Sequence, residues 1–287
     1  KYAGMRNDLA QAGGGNTSVK LDDNIMLVKS SGFQLADVSG QAGYSKVDYR
    51  KIADYFREHV EGQEEDVFSE ECGKNLLQEA QMEGGRASIE TFLHAITGRY
   101  TLHSHPTLVN ILTAREGGMD ILHTLFPQAV FVPYKKPGAA LAETYYKLCR
   151  EQQAKGADGS VIFLANHGLV VSGESGNEVI ETTEQVLERI AAYLGVDDSA
   201  WHAATTLYET LQQVAGLEGN IVYLSENRYL SPEYAGRELV EKGLWEHAFC
   251  PDCVVYANKK LLRLKKDYSS QEITEFMERY GAPALVY

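Results

Sequence analysis

The sequence predicts an α/β protein, on three observations. Short apolar runs of strand length, at residues 25–29, 101–105, 129–132 and 161–164, alternate with stretches whose apolar residues recur at helical spacing. The helical pattern is clearest at Ile89, Phe92, Leu93 and Ile96 and again from Val179 to Leu194. With 287 residues, 44% of them hydrophobic, the chain is long enough to bury a full core.

Composition narrows the function classes. Forty acidic residues against 27 basic ones give a net charge of -13, which leaves no basic stripe for nucleic acid. An anionic small molecule must then be held by local donors. No run approaches eighteen apolar residues and no signal-like segment opens the chain, so a soluble, cytoplasmic protein is expected. Four cysteines in a chain of this length do not form a disulfide framework, in keeping with a reducing compartment. The first residue is Lys1 rather than Met, and a preceding segment is expected.

In chain order, residues 1–12 read as the tail of a helix and Gly13-Gly14-Gly15-Asn16-Thr17-Ser18 as a glycine-rich turn. Such a turn either cradles an anion with successive N–H groups or simply leads into the strand 18–21. A hairpin through Asp22-Asp23-Asn24 leads to the strand 25–29, and Ser30-Ser31-Gly32 makes a second small polar turn. Residues 45–60 and 69–82 have helical spacing, with the acidic stretch 61–66 a solvated loop between them. Ser88 stands where a helix N-cap belongs. Glu90, in the first turn, either complements the helix dipole or reaches a metal or a substrate C–H. His94, four residues on, reads as a core histidine or a partner of Glu90.

The run Thr101-Leu-His103-Ser-His105-Pro106 places two imidazoles one residue apart. On a strand, residues i and i+2 share a face, so the pair reads either as two ordinary strand histidines or as two ready metal ligands. Residues 161–172 form a further apolar run broken by Asn166-His167-Gly168, a strand and turn presenting a third histidine. Imidazole suits zinc and other first-row divalent ions, and Glu90 is available as a further ligand. Between these runs lie helical segments near 107–125, a strand 129–132, and Pro133-Tyr134-Lys-Lys-Pro137-Gly138, whose tyrosine is held in a restricted loop. A helix follows over 139–155, and the amphipathic helix 178–194 stops at Gly195.

Gly-Asn-Thr-Ser, Ser-Ser-Gly, Ser-Ile-Glu, His-Ser-His-Pro, Val-Pro-Tyr and Asn-His-Gly, in that order over residues 10–195, resemble the class II aldolase/adducin-type family, which includes the fuculose-phosphate and rhamnulose-phosphate aldolases. The resemblance implies a three-layer α/β/α domain with a mainly antiparallel central sheet, forming a homotetramer with sites near subunit contacts. It implies Zn2+, or another first-row divalent metal, on His103, His105 and His167, with Glu90 as resting ligand and catalytic base. It gives Tyr134 the role of proton donor, and Asn16, Thr17, Ser31, Gly32 and Ser88 that of phosphate binders.

The activity so implied is cleavage or formation of a ketose 1-phosphate from dihydroxyacetone phosphate and an aldehyde through a metal-stabilised ene-diolate. For the base, burial is expected to raise the pKa of Glu90. Within the family the alternatives are a decarboxylase, dehydratase or epimerase of a sugar phosphate, or a silent adducin-like oligomerisation module. Ile89 replaces the second serine of the fuculose-type Ser-Ser-Glu motif and removes one hydroxyl from the phosphate site. The Ser-Ile-Glu form resembles the aldolase portion of bifunctional rhamnulose-phosphate aldolase/dehydrogenase proteins.

Residues 1–195 are thus expected to form the metal-binding domain, and residues 196–287 a small α/β extension packed on it. The extension reads as helices near 199–215, 232–241 and 270–280, with strands at 253–257 and 261–264. Trp201 and Trp245 are expected in its core, and Cys250-Pro-Asp-Cys253 reads as a coincidence of spacing rather than a redox pair.

Overall fold

A computed structural model describes residues 1–63, 67–197, 199–215, 222, 262–265, 267–283 and 286. The chain divides into two compact units, Lys1–Val196 and Asp197–Tyr287. Two early segments depart from the sequence expectation. Residues 1–12 form turns around a 3-10 segment, Ala3–Met5, and hold no α-helix. They are fixed instead by the buried Arg6, which pairs with Asp8 and Glu184. Residues 44–48 are a strand, because Val47 and Ser45 alternate inward on a sheet before the helix begins.

The first unit is built on an eight-stranded sheet. Its strands are β1 (Asn16–Lys20), β2 (Ile25–Lys29), β3 (Tyr44–Asp48), β4 (Gln81–Gly84), β5 (Tyr100–Ser104), β6 (Val130–Val132), β7 (Val161–Leu164) and β8 (Gly168–Gly173). Their order is β4-β3-β2-β1-β5-β8-β7-β6, antiparallel except for the parallel pair β6–β7. Strand β4 occupies what the periodicity reads as the end of a helix; α2 (Glu70–Ala80) stops short of it.

Helices cover both faces. On one side α4 (Thr107–Thr113), α5 (Gly118–Leu125) and α7 (Gly176–Leu194) bury Val109, Leu122 and Ile190 against Leu102, Phe163, Leu169 and Val171 of the strands. On the other side α1 (Tyr49–Tyr55), its π continuation Phe56–Val60, α2, α3 (Thr91–Ala95) and α6 (Ala139–Gln153) cover Met26, Val28 and Val47, with Ile162, Leu164 and Val170 beside them. Neighbours along β7 and β8 therefore belong to opposite clusters, which is why their sequence reads as continuous rather than alternating apolar runs. Each fully buried side chain of the size of Phe163 or Ile190 contributes roughly 1.5–3 kcal/mol. The architecture is a three-layer α/β/α sandwich with a mostly antiparallel sheet.

One buried carboxylate fastens the 67–68 segment to α6. Glu143 of α6 is fully buried; its two oxygens accept from Val67 N–H at 2.9 Å and Phe68 N–H at 2.8 Å, and Lys147 Nζ lies 3.0 Å away.

In the second unit, α8 (Ser199–Ala215) and α9 (Ser270–Tyr280) share a small cluster of Leu207, Leu211, Ile273 and Phe276, joined by a bridge between Leu262 and Val286. Trp201 is 55% exposed, contrary to expectation. It lies about 120° around the helix from the stripe Leu207, Leu211 and Val214 that faces α9. The expected helix 232–241, the strand 253–257, Trp245 and the Cys250/Cys253 pair lie outside the described residues. Among the described residues, no helix is long and apolar enough to cross a membrane.

Candidate metal centre

The ends of four interior strands, β1, β5, β8 and β7, lie side by side at one end of the sheet. In the register, Asn16 at the start of β1 lies opposite His103 on β5, and His103 lies opposite Val170 on β8. His103 is carried by β5 itself; His105 follows one residue beyond its end, anchored by its own N–H to Leu9 O at 2.8 Å. His167 comes from the tight connection between β7 and β8, where Asn166 adopts φ +50°. Close approach explains the glycines here. A Cβ on Gly168 would lie 2.4 Å from Ser104 O and 3.0 Å from the His105 ring, and one on Gly14 would lie 2.8 Å from His105 Nδ1.

The three imidazoles converge. Their ring centroids are 4.8–5.1 Å apart, and one ligand nitrogen from each lies within 4.8 Å of the others. Glu90 closes the group, with Oε1 3.1 Å from His103 Nδ1 and 3.8 Å from His167 Nε2. The first of these contacts lacks hydrogen-bond alignment: both nitrogens of His103, with His105 Nε2 and His167 Nδ1, are buried without a hydrogen-bond partner among the described residues. Buried ring nitrogens left unpaired are costly unless something else meets them.

Electrostatics fit a cation. Burial, reinforced by His103, lowers His105 to about 4. Burial, reinforced by His103 and His105, does the same for His167. Both rings are therefore neutral at pH 7, the form that ligates a metal. For Glu90, burial pushes the pKa up, as expected, but the imidazoles of His103, His94 and His167 outweigh it, and the carboxyl lies below the ordinary carboxylate range. Its raised pKa is thus not found; three rings facing one carboxylate reverse the sign. Three converging imidazoles and a carboxylate make a donor set that suits a first-row divalent ion.

The helix behind Glu90 differs from the sequence expectation. α3 begins at Thr91, with Glu90 at the N-cap position and Ser88 accepting from Glu90 N–H through its hydroxyl at 3.2 Å. Phe92 and Leu93 are buried, but Ile89 lies before the helix and is 49% exposed. His94 is a core histidine: it is fully buried, 2.7 Å from Ser18 Oγ, and burial lowers its pKa to about 3 against the pull of Glu90.

A pocket of about 230 Å³ opens beside Glu90 and His105, lined by the glycine loop 13–15, by Lys29, Ser31 and Gly32, and by Ser88 and Ile89. A larger groove near Thr97, Tyr145 and Arg150 contains none of the histidines. Of the residues expected to hold a phosphate, Ser31, Gly32 and Ser88 line the smaller pocket. Asn16 and Thr17 do not. Asn16 is buried opposite His103, its Oδ1 accepting from Thr17 N–H, and the Thr17 hydroxyl donates to Thr101 O at 3.2 Å. Tyr134 is 60% exposed and also outside the pocket lining, although its loop ends at Gly138, where a Cβ would sit 3.6 Å from Ile89 Cδ1.

Lys29 is the pocket residue that sequence reading misses. A lysine at a strand end reads as solvated, yet this one is 5% exposed, with Nζ donating to Phe33 O at 2.8 Å. Burial lowers its pKa and the Glu90 carboxylate opposes the shift.

Comparison with known proteins adds family context. Residues 3–194 match the Class II Aldolase and Adducin N-terminal domain. The "Uncharacterized oxidoreductase YuxG" of Bacillus subtilis (strain 168) is 26% identical over 196 residues, which are 63% of this chain and 26% of that protein. The chain spans about a quarter of that relative's length. The N-terminal class II aldolase domain of a conserved protein from Thermoplasma acidophilum superposes with a TM-score of 0.55 at 23% identity, over 67% of this chain and 89% of that one. The L-fuculose-1-phosphate aldolase of Thermus thermophilus gives 0.39 at 19% identity, over 72% and 89%.

Proposed function

The chain belongs to the class II aldolase and adducin family, and from that premise we propose that it is a metal-dependent carbon–carbon lyase that cleaves or forms a ketose 1-phosphate. The observation that carries this reading is the meeting of His103, His105 and His167 with Glu90 at the wall of a small polar pocket. A divalent ion, zinc by preference, bound there supplies Lewis acidity toward vicinal carbonyl and hydroxyl oxygens.

The chain's own residues do the rest. His103, His105 and His167 present the ring nitrogens that would hold the ion. Glu90, ionised and at the pocket wall, takes the proton from the carbon beside the ketone. Its carboxylate is already shielded from bulk water, so little solvent must reorganise around it. Ser31, Gly32 and Ser88 hold the far end of the substrate. Tyr134 donates a proton to the aldehyde oxygen within the homotetramer that we assign to the chain, where sites lie near subunit contacts. The pocket volume suits a short polyol better than a nucleotide.

The test is release of dihydroxyacetone phosphate from a panel of ketose 1-phosphates by metal-replete protein. Release from at least one of them, abolished by a chelator, is the expected result. Loss of carbon dioxide from a sugar-acid phosphate instead supports the decarboxylase alternative, and metal-replete protein inert toward every substrate contradicts the lyase reading.

A further inference from the structure

The three histidines are not held in the same way. His103 sits inside the sheet, opposite Asn16 on β1 and Val170 on β8. His167 is fixed by the tight β7–β8 connection, closed by the pair Leu164 and Gly168. His105 lies one residue past the last β5–β8 pair, Ser104 with Leu169, so neither neighbouring strand carries its backbone. The N-terminal segment carries it instead. His105 N–H donates to Leu9 O and Thr107 N–H to Asp8 O, both at 2.8 Å. Gln11 Nε2 adds bonds to Asn7 O at 2.8 Å and to His105 O at 3.3 Å.

Apart from the 3-10 segment Ala3–Met5, residues 1–12 are turns, so side chains must set where these carbonyls point. Leu9 is fully buried and fixes the depth of the turn, but apolar burial is non-directional. Direction comes from Arg6, which is buried. Its carbonyl closes the turn by accepting from Leu9 N–H at 3.0 Å and Ala10 N–H at 3.1 Å. Its guanidinium grips Asp8 with two bonds, Nε to Oδ1 at 3.2 Å and Nη2 to Oδ2 at 2.6 Å. Such a fork fixes orientation as well as distance. The remaining nitrogen, Nη1, donates to Glu184 Oε1 on α7 and to the Tyr2 hydroxyl at 3.3 Å, and that hydroxyl donates to the same carboxylate. The base is firm, because Val186 and Leu187 of α7 are buried in the same cluster as Leu9. Contacts thus run unbroken from α7 through Arg6 and the Asp8–Leu9 backbone to His105.

We propose that Arg6 is a positioning residue of the metal centre, its pairing with Asp8 and Glu184 holding the carbonyls that set the backbone, and hence the ring, of His105. The proposal rests on the reading of His103, His105 and His167 as metal ligands. Arg6 is outside the pocket lining and acts only through His105. Without it, Asp8 and Glu184 are both exposed enough to turn to water, and the turn is free to rotate about Leu9. Metal–ligand distances tolerate little of that movement.

The experiment measures cobalt(II) affinity, and the visible absorption of the cobalt-loaded full chain, whose bands follow the geometry of the ligands. Arg6→Leu is expected to weaken binding by about tenfold or more, the range for residues that orient a ligand, and to shift the bands. Glu184→Gln loosens the same cluster from its α7 end; a loss of roughly threefold is expected, and this variant decides where Arg6→Leu does not fold. Arg6→Lys keeps the charge without the fork and is expected to fall between Arg6→Leu and wild type. Glu143→Ala controls for lost stability alone, since the bonds it removes go to Val67, Phe68 and Lys147, and it is expected to keep wild-type affinity and bands. If the folded members of the pair Arg6→Leu and Glu184→Gln bind within about twofold of wild type with unshifted bands, the proposal is overturned and the metal centre stands. An equal loss in Glu143→Ala overturns it as well, because general destabilisation then suffices. A wild-type chain that binds no cobalt removes the metal centre and the proposal together.

Discussion

At the scale of the residue, Glu90 carries the proposed proton transfer and its neighbour His94 a prediction about stability. Glu90→Gln keeps the shape of the side chain and removes the proposed base. It is expected to leave the fold intact and to lower exchange of the substrate C–H in deuterated water by about 10²–10⁴-fold; exchange at the wild-type rate would assign the base elsewhere. His94 predicts an acid dependence of stability. Folded, its pKa is about 3 against an ordinary 6.5, so between those values the unfolded chain binds a proton that the folded chain excludes. Stability then falls as pH drops through that window, by at most about 1.4 kcal/mol per pH unit from this residue. Urea midpoints of metal-stripped protein at pH 7.5, 6 and 5 should fall less steeply for His94→Gln than for wild type; parallel slopes would contradict the assignment. The histidine ligand candidates are legible in the sequence because a His-X-His pair shares a strand face, a third histidine follows between two apolar runs, and the resemblance joins the three. Lys29 is not, because its burial depends on a turn that folds Phe33 O over it and on a pairing with residues 86–87 far along the chain.

At the scale of the element, the site depends on strand ends and the segments that fix them. In Gly168→Ala the added methyl would meet Ser104 O at 2.4 Å, at the last β5–β8 pair, and would press the His105 ring. The variant is expected to lose metal affinity by more than tenfold even where it folds, as read by competition with a chromophoric chelator; wild-type affinity would show that the turn tolerates the shift. Glu143→Ala leaves the buried Phe68 N–H, the Val67 N–H and Lys147 without their carboxylate. Its expected cost is about 3 kcal/mol, measured by denaturant unfolding, and a cost under about 1 kcal/mol would mean that the 67–68 segment finds other partners. Helix and strand types were legible wherever a period is sustained, as in α7, β2 and α9. The short pieces were not. β3 and β4 flank helical sequence and owe their state to pairing with β2 and with each other. α3 begins later than its serine suggests because Ser88 caps a turn rather than the helix.

At the scale of the whole molecule, the antiparallel register of β1, β5, β8 and β7 brings these side chains together at one end of the sheet. The strand order was not legible, since β1 pairs with β5 and β5 with β8 across some 80 and 70 residues, and local sequence does not encode such pairings. The fold class and the layered architecture came from the sequence patterns and the resemblance together. The measurement that tests the central claim most directly is the stoichiometry of a divalent ion on chelator-stripped, reconstituted protein, compared with His103→Ala, His105→Ala and His167→Ala. One ion per chain is expected for wild type, with affinity at least a hundredfold lower in each variant. A wild-type chain that binds no better than its three variants would contradict the account.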